Sequence, residues 1–191
     1  RVKSFSRSFT GDLDRAELEL KQALLLDPEF AAAWAQLAYV YLAKYWGVDQ
    51  QAAYRDKARE AIDQGRAIDP DLPELDIAEG YYHYWGFLDY PAALEVLEPL
   101  LEIYPNDVDL THVLAYVNRR FGRFDTSLEY MFRAVALAPR DQRLLISLSE
   151  TYAALRQFDK ARSYLDKAIS IDAGNPRVAQ MRGSILAGSD G

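Results

Sequence analysis

Apolar and small residues recur along this chain at spacings of three and four, which is the pattern of one face of an α-helix. The stretch AAAWAQLAYVY shows the spacing 3, 1, 3 at Trp34, Leu37, Ala38 and Tyr41. The small side chain of Ala38 would let the backbone of a neighbouring helix approach closely. No stretch shows the apolar–polar alternation of a strand, so the pattern predicts an all-α protein.

The helical pattern is itself repeated at a longer period. Four segments end alike at Pro28, Pro70, Pro105 and Pro139, and a fifth has Ala173 in the corresponding place, so the spacings are 42, 35, 34 and 34. A proline just past a helix end stops the helix without removing one of its internal hydrogen bonds. Each period therefore predicts two helices joined by a turn.

The same small and large positions return in other periods. First helices show them at 111–118 and 145–152, and second helices show them at Ser127, Met131 and Ala134 and again at Ala161, Leu165 and Ala168. With its 34-residue period, the chain resembles the tetratricopeptide repeat (TPR) family over nearly its whole length. The resemblance implies a right-handed superhelical solenoid of TPR helix–turn–helix repeats, with a concave groove built mainly from the first helix of each repeat.

The repeats predict the organisation of the whole chain. Residues 1–12 are expected to be flexible or a partial first helix, and residues 188–191 a flexible tail. Between them, residues 13–187 form a TPR array of about four full repeats, a leading half repeat and a C-terminal capping helix. We predict helices at 13–27, 30–46, 50–68, 73–86, 90–103, 107–121, 124–138, 141–155, 158–171 and 176–187.

Two repeats depart from the period. The second is eight residues longer, and we expect both of its helices to be extended around a turn near residues 47–50. The third carries one extra residue, which we place in the turn WGFLDY. Its first helix has two possible registers: Gly80 fits the small position in one, whereas the other turns Ile77, Tyr81 and Tyr84 inward.

Aromatic residues are concentrated in YYHYWGFLDY, residues 81–90, and KYWGV repeats the motif at 44–48. Both stretches lie where a first helix ends, and Gly47 and Gly86 are expected to be left-handed C-caps. Most of the rings are expected to fill the seam between helix pairs. One flank of a first helix faces the groove, so Tyr81 and Tyr84, with Tyr39 and Tyr116, could project there as exposed rings.

Composition excludes several classes of function. The net charge of −7 argues against general nucleic-acid binding, and the absence of cysteine excludes disulfides and thiolate catalysis. No apolar run approaches the roughly 20 residues of a membrane span. No phosphate-binding glycine motif is present, and His83 and His112 are too few for a convincing catalytic triad. Asp109 and His112, one helical turn apart, are too few for a metal site. We predict no enzyme activity, no cofactor and no metal.

Basic residues cluster between 119 and 143, against the acidic average: Arg119, Arg120, Arg123, Arg133, Arg140 and Arg143. Three of them, Arg119, Arg120 and Arg143, are predicted near the groove, alongside Asp109, His112 and Tyr116. Arginine binds carboxylate or phosphate through two parallel hydrogen bonds. Alternatively, these arginines pair with acidic side chains of adjacent repeats or keep the surface soluble.

The resemblance bears on this cluster. In the TPR family the groove commonly binds an extended peptide, and some members hold a partner's C-terminal carboxylate with Lys, Arg and Asn. By resemblance, Arg119, Arg120 and Arg143 are placed for a similar role. Tyr39, Tyr81 and Tyr116 stand where an Asn would be expected, so the match is incomplete.

The leading functional prediction is a protein-interaction scaffold. Its groove would bind a peptide or protein segment that is acidic or ends in a free carboxylate. A second hypothesis is that the chain is the regulatory TPR segment of a larger bacterial signalling enzyme, a cyclase or kinase, since the repeats resemble those attached to such proteins. A third is self-association, because Leu13, Leu20 and Leu24 would form an exposed apolar edge for a homodimer. We expect a cytoplasmic location, since no export signal is visible.

Overall fold

The computed structural model describes the backbone of residues 2–189 and the side chains of residues 12–185 and 188. Residues 190 and 191 of the predicted tail at 188–191 lie outside this range. Within it the chain is all-α, without a strand, as the periodicity predicted. The helices are α1 Val2–Leu26, α2 Ala31–Gly47, α3 Ala52–Ile68, α4 Pro73–Tyr81 with a π-helical continuation Tyr82–Gly86, α5 Tyr90–Leu97, α6 Leu100–Ile103, α7 Val108–Arg120, α8 Phe124–Leu137, α9 Gln142–Ala154, α10 Phe158–Ile171 and α11 Pro176–Ser189.

The helices belong to two compact units, which we call unit 1 (Arg1–Ile103) and unit 2 (Tyr104–Gly191). In unit 1, α2 pairs with α3 and α4 with α5, while α1 packs against α2. In unit 2, α7 pairs with α8 and α9 with α10, while α11 packs on α9 and α10. The first helices of the repeats are therefore α2, α4, α7, α9 and α11.

Small residues mark the places where paired helices approach. Ala38, Ala115 and Ser149 are completely buried on their first helices. Gly80 holds the same position on α4, where an added Cβ would lie 2.5 Å from both Cγ and Cδ2 of Leu97 on α5. A side chain at Gly80 would force these two helices apart, so the backbone contact requires glycine.

Aspartates start several helices by capping them. The Asp107 carboxylate accepts a hydrogen bond from the backbone N–H of Leu110 at 2.7 Å, and Asp141 accepts from the N–H of Arg143 at 2.9 Å. Such contacts satisfy amide groups that have no partner within the helix. They fix where α7 and α9 begin, and therefore which residues of these helices face the same side.

The predicted helix at 90–103 is in fact two helices, α5 and α6, separated at Pro99. Proline has no N–H to donate to the preceding turn, and its ring clashes with the carbonyl four residues back. The backbone instead makes tighter turns, with Leu101 N donating to Glu98 O and Glu102 N to Pro99 O, both at 3.2 Å. The prediction missed this break because Pro99 lies inside an otherwise regular apolar pattern.

The predicted position of the extra residue in the third repeat is also wrong. The helix instead accommodates the extra residue by widening into the π-helical turn Tyr82–Gly86, which begins three residues before WGFLDY. The structure combines the two registers: Gly80 takes the small position as in the first, Tyr81 and Tyr84 are buried as in the second, and Ile77 is only half-buried.

Neither Gly47 nor Gly86 is left-handed, contrary to the prediction. Among the residues that the structure describes, the left-handed ones are Leu88 (φ 56°), Gly122 (φ 85°) and Arg156 (φ 58°), which stand 34 residues apart. Each lies in the turn between a first and a second helix. The turn therefore requires this conformation at one repeat position, and only Gly122 supplies the residue type best suited to it.

The predicted apolar edge of α1 is wrong in detail. Leu24 is buried and Leu13 and Leu20 are half-buried. On the neighbouring part of the helix, Lys44 of α2 forms ion pairs with Asp14 (2.5 Å) and Glu17. This face of α1 is thus directed toward α2, and the strongly exposed leucines of α1 are others, Leu18, Leu25 and Leu26.

Candidate functional site

The first helices of unit 2 carry a connected group of polar side chains, which we call the polar cluster. Its members are Asp109, His112, Tyr116 and Arg119 on α7, Arg143, Ser147 and Glu150 on α9, and Arg177 on α11. The 34-residue period places Asp109, Arg143 and Arg177 at one equivalent position of three successive first helices. The repeat thus brings residues from distant parts of the sequence to one face.

Ser147 lies at the centre of the polar cluster. Its hydroxyl donates to the backbone carbonyl of Arg143 at 2.8 Å, a common bond for serine within a helix. Its lone pairs then accept from Tyr116 Oη at 2.7 Å and from His112 Nε2 at 3.0 Å. This arrangement uses the full capacity of the hydroxyl and assigns the imidazole proton to Nε2.

His112 is almost fully buried, with 6% of its surface exposed. Burial, together with the positive charge of Arg143, lowers the pKa of His112 to about 4, against the opposing attraction of Asp109 and Asp141. The imidazole is therefore neutral near pH 7. It acts as a hydrogen-bond donor that links α7 to α9.

Arg119 joins the same two helices from the other end of the polar cluster. Its side chain is only 11% exposed and forms an ion pair with Glu150 at 3.4 Å. The guanidinium also donates to Thr151 Oγ1 at 3.2 Å and lies over the Tyr116 ring, 4.8 Å from its centre. These contacts make Arg119 a connector between repeats.

Arg143 is held between two carboxylates. Its Nη2 lies 2.7 Å from Asp141 Oδ2 and 3.1 Å from Asp109 Oδ1. Partial burial raises the pKa of Asp141, but the hydrogen bonds and charge of Arg143 outweigh it, so the net pKa is lowered. More than half of the Arg143 side chain is exposed, so an arriving ligand can reach it.

Glu150 is shared by two arginines. Beside its pair with Arg119, its Oε1 accepts from Arg177 Nη2 on α11 at 2.7 Å. About 41% of the Arg177 side chain remains exposed. The carboxylate of Glu150 thus joins α7, α9 and α11, and leaves one face of Arg177 available to solvent.

The predicted arginines have different outcomes. Arg119 and Arg143 both pair with acidic side chains, as the alternative interpretation stated, and Arg120 is exposed in the last turn of α7. Asp109 lies beside Arg143, and the described residues contain no group of three or more potential metal ligands. No helix in the described part of the chain is long and apolar enough to cross a membrane.

Sequence reasoning missed Ser147, Glu150 and Arg177. A signal for them was present, because each stands on a first helix at a position that faces the same side as a predicted residue. Adding 34 to Asp109 gives Arg143 and then Arg177, and adding 34 to Tyr116 gives Glu150. Comparing equivalent positions across repeats would have found two of the three.

The first helices of unit 1 carry a group of rings instead, which we call the aromatic cluster: Tyr39 and Trp46 on α2 and Tyr81, Tyr84 and Trp85 on α4 and its π-helical turn. Tyr39 meets Tyr81 edge to face at 5.1 Å between centroids, and Trp46 stacks on Trp85 at 6.5 Å. Such pairs add to the apolar area they bury. The aromatic cluster therefore fastens α2 to α4.

The expectation of exposed rings is wrong for two members of the aromatic cluster. Tyr81 is 9% and Tyr84 3% exposed, whereas Tyr39 is 37% exposed. Tyr116, in unit 2, is partly buried. Both buried tyrosines contact several other rings. Tyr84, within the π-helical turn, contacts Trp46 of α2 and Tyr90 of α5, and Tyr81, just before that turn, contacts Tyr39 and Trp85.

Comparison with known proteins identifies the repeat. Two family models, both described as tetratricopeptide repeat, match residues 82–141 and residues 119–185, which together make up more than half of the chain. The chain belongs to the tetratricopeptide repeat family. The protein CTR9 homolog of Arabidopsis thaliana is 34% identical over 76 residues, a match that covers 37% of this TPR chain and 7% of that protein. The chain thus spans a small part of that relative's length.

Solved TPR structures resemble this chain over most of its length. A TPR protein of Thermus thermophilus has a TM-score of 0.77 at 19% identity, with 93% of this chain and 92% of that one covered. YrrB, described as a TPR protein with an unusual peptide-binding site, has a TM-score of 0.59 at 21% identity, covering 94% and 89%. At these identities the likeness shows the TPR fold alone.

Proposed function

We propose that this TPR protein is an interaction scaffold whose polar cluster binds a peptide segment bearing a carboxylate. TPR proteins generally mediate protein–protein interaction, and the fold is typically not catalytic. The observation that carries the proposal is the placement of Arg143 and Arg177 at equivalent positions of adjacent first helices, each partly exposed. An extended segment lying across α9 and α11 would meet both.

In the polar cluster, a ligand carboxylate can take the place of the Asp109 carboxylate beside Arg143. Asp109 is a mostly exposed partner of Arg143, so this contact contributes little to stability. A ligand carboxylate can replace Asp109 there and gain a bidentate contact with the guanidinium. Asp141 keeps Arg143 oriented meanwhile, because it is more buried and caps the same helix.

The buried members of the polar cluster give the surface its rigidity. Arg119, His112 and Ser147 hold α7 and α9 together and need not touch the ligand. A rigid, preformed surface loses less entropy on binding than a mobile one. In this proposal Arg177 takes the ligand-contacting role that sequence reasoning assigned to Arg119.

The test begins with a library of random peptides, screened against the immobilised protein. Enriched peptides would then be synthesised with free and with amidated C-termini and titrated against the parent chain. The informative variant is Arg143→Gln with Arg177→Gln. Its matched control, Arg140→Gln with Arg162→Gln, removes the same charge from the turn after α8 and from α10. Circular dichroism would confirm that both remain helical.

We expect enriched peptides to carry acidic residues or to require a free C-terminus, with the amidated set distinguishing these cases. The Arg143/Arg177 variant should bind at least about tenfold more weakly, which corresponds to about 1.4 kcal/mol. The control should bind like the parent. Equal binding by all three proteins, or enrichment of peptides without any carboxylate, would overturn the proposal.

A further inference from the structure

A groove with a volume of about 510 Å³ lies between the second helices α8 and α10 of unit 2. Both helices and the turn after α8 contribute to its lining, together with one buried residue of α9. Most of the lining is apolar or aromatic: Phe132, Val135, Pro139, Leu145, Tyr164 and Ile171. Small-molecule sites in proteins typically have volumes of roughly 300–1,000 Å³ and a mostly apolar lining with a few polar groups.

Two aromatic rings of the groove are positioned by contacts with each other and with α9. Tyr164 of α10 stacks on Tyr152 of α9, with 5.6 Å between ring centres and 7° between ring planes. Phe132 of α8 lies 6.5 Å from Tyr164, yet 43% of its surface is exposed. A ligand lying between α8 and α10 would therefore cover apolar surface that the folded chain leaves in contact with water.

Two cationic side chains line the same groove, Arg140 in the turn after α8 and Lys167 on α10. Both are exposed, and neither pairs with a carboxylate in the part of the chain that the structure describes. The ammonium group of Lys167 lies 4.6 Å from the centre of the Tyr164 ring. This cation–π contact keeps the positive charge of Lys167 beside the apolar lining.

The acidic residues adjacent to these two cations in sequence do not neutralise them. Asp141 follows Arg140 but pairs with Arg143 at 2.7 Å. Asp166 precedes Lys167, and consecutive residues of a helix do not face each other. The chain contains 29 acidic and 22 basic residues, so two cations without an acidic partner are unusual in it. Their charge complements an anion that is supplied by a ligand.

The repeat itself does not require this combination of residues. Counted from each repeat-ending residue, the equivalent positions of unit 1 carry Asp63, Asp71 and Pro99 in place of Phe132, Arg140 and Lys167. An aromatic groove with a positive edge is therefore a property of the sequence of unit 2, and not a consequence of the fold.

We propose that the groove between α8 and α10 binds a small amphiphile with an alkyl or aryl body and one carboxylate. The body lies against Phe132 and Tyr164, and the carboxylate binds Arg140 and Lys167. Arginine can hold a carboxylate through two parallel hydrogen bonds, and the lysine ammonium adds a second positive charge. This site is separate from the polar cluster, which lies on the first helices α7, α9 and α11.

The test uses three probes that share a decyl-length chain and differ in the head group: decanoate, decanol and decyltrimethylammonium. Each is titrated below its micelle-forming concentration, and amide NMR shifts report the site and the affinity. Arg140→Gln with Lys167→Gln removes the positive edge. Arg143→Gln with Arg177→Gln is the matched control, because it removes the same charge from the polar cluster. Val135→Trp fills part of the groove. Circular dichroism would confirm that each variant keeps its helicity.

Decanoate should shift amide resonances of α8 and α10 and should bind at least about tenfold more tightly than decanol or decyltrimethylammonium. The Arg140/Lys167 variant should bind decanoate about as weakly as the parent binds decanol, while its affinity for decanol stays the same. Val135→Trp should weaken the binding of both. The Arg143/Arg177 variant should bind decanoate like the parent.

Three results would overturn the proposal. The first is no binding of decanoate, or decanoate shifts confined to other helices. The second is equal affinity for the three probes, since the cations would then take no part in recognition. The third is an equal loss of decanoate affinity in the two charge variants, which would indicate general attraction to a positive surface.

Discussion

The two units use one repeat position in opposite ways. The residue that follows the small position is Tyr39 on α2 or Tyr81 on α4 in unit 1, and Tyr116 on α7 or Glu150 on α9 in unit 2. The rings of Tyr39 and Tyr81 meet edge to face. The ring of Tyr116 instead directs its hydroxyl to Ser147 and lies under the Arg119 guanidinium.

The difference shows that a repeat position has no fixed chemistry. What Tyr39 and Tyr116 do depends on the side chain that the next first helix presents, Trp85 to Tyr39 and Ser147 to Tyr116. Ring contacts are weakly directional and insensitive to pH. Hydrogen bonds in a buried network require a defined protonation state and a full set of partners. The two units should therefore respond differently to the same perturbation.

The largest effect is expected from removing a central ring of unit 1. Tyr84→Ala deletes a buried side chain that contacts Trp46, Tyr81 and Tyr90, and should lower the free energy of unfolding by about 3–5 kcal/mol. All three tryptophans lie in unit 1, so tryptophan fluorescence during urea unfolding follows this unit directly. The more exposed Tyr39→Ala should cost clearly less. Equal losses would show that the aromatic cluster is not organised around Tyr84.

Acid should affect unit 2 before unit 1. The pKa of His112 is lowered from 6.5 in the unfolded chain to about 4 in the folded one, so only the unfolded chain binds this proton between these values. The contribution of neutral His112 to the free energy of unfolding is fully present above about pH 6.5. It is lost as the pH falls toward 4, and the total loss is about 3 kcal/mol. Amide hydrogen exchange in α7 and α9 measures this loss.

The effect of acid on unit 2 is expected in one pH range, and a control variant can test its assignment to His112. The folded-state pKa values of Glu17 and Glu79, in unit 1, are lowered from 4.5, so their contributions are lost only at lower pH. Between pH 6.5 and 5 the loss in unit 2 should therefore come from His112. His112→Gln should abolish the pH dependence in this window, and His83→Gln should not. If the pH dependence of stability between pH 6.5 and 5 were the same in His112→Gln as in the parent, the assignment of a buried neutral imidazole would be contradicted.

Removing the centre of the polar cluster should have an intermediate effect. Ser147→Ala leaves the Nε2–H of His112 and the hydroxyl of Tyr116 without their partner, at a cost of about 1–3 kcal/mol. Ser170→Ala, which removes an exposed hydroxyl with a single local bond, is the control and should be nearly neutral. Unfolding in urea followed by hydrogen exchange in unit 2 would measure both. A loss no greater than that of the control would mean that Ser147 is not a hub.

The smallest effects are expected at the turn position that both units share. Leu88→Gly in unit 1 and Arg156→Gly in unit 2 relieve a left-handed conformation, and each should raise the free energy of unfolding by about 1 kcal/mol or less. Gly122→Ala should lower it by a similar amount, because it introduces the same strain. Thermal unfolding would show the opposite signs. A destabilising Leu88→Gly would indicate that the half-exposed Leu88 side chain makes contacts that outweigh its backbone strain.

The class of protein, its repeats and most helix boundaries could be predicted from the sequence. These features follow from local rules. Spacings of three and four define a helix face, and prolines and capping aspartates mark the ends of the helix. The 34-residue recurrence lets the assignment of each repeat be checked against the equivalent positions of the adjacent repeats. The small positions Ala38, Gly80, Ala115 and Ser149 could be read in the same way, since only small residues permit close helix contact.

The contacts of each side chain could not be predicted, because they depend on how the helices pack against one another. Whether Arg119 faced a ligand or Glu150, and whether Tyr84 was exposed, depended on the rotation of helices that lie more than 30 residues apart in sequence. The π-helical turn was hidden for the same reason, because a turn of helix and a longer loop can absorb one extra residue equally well. Spacing along one helix sets which residues share a face, but the partner across the interface is a property of the packed pair.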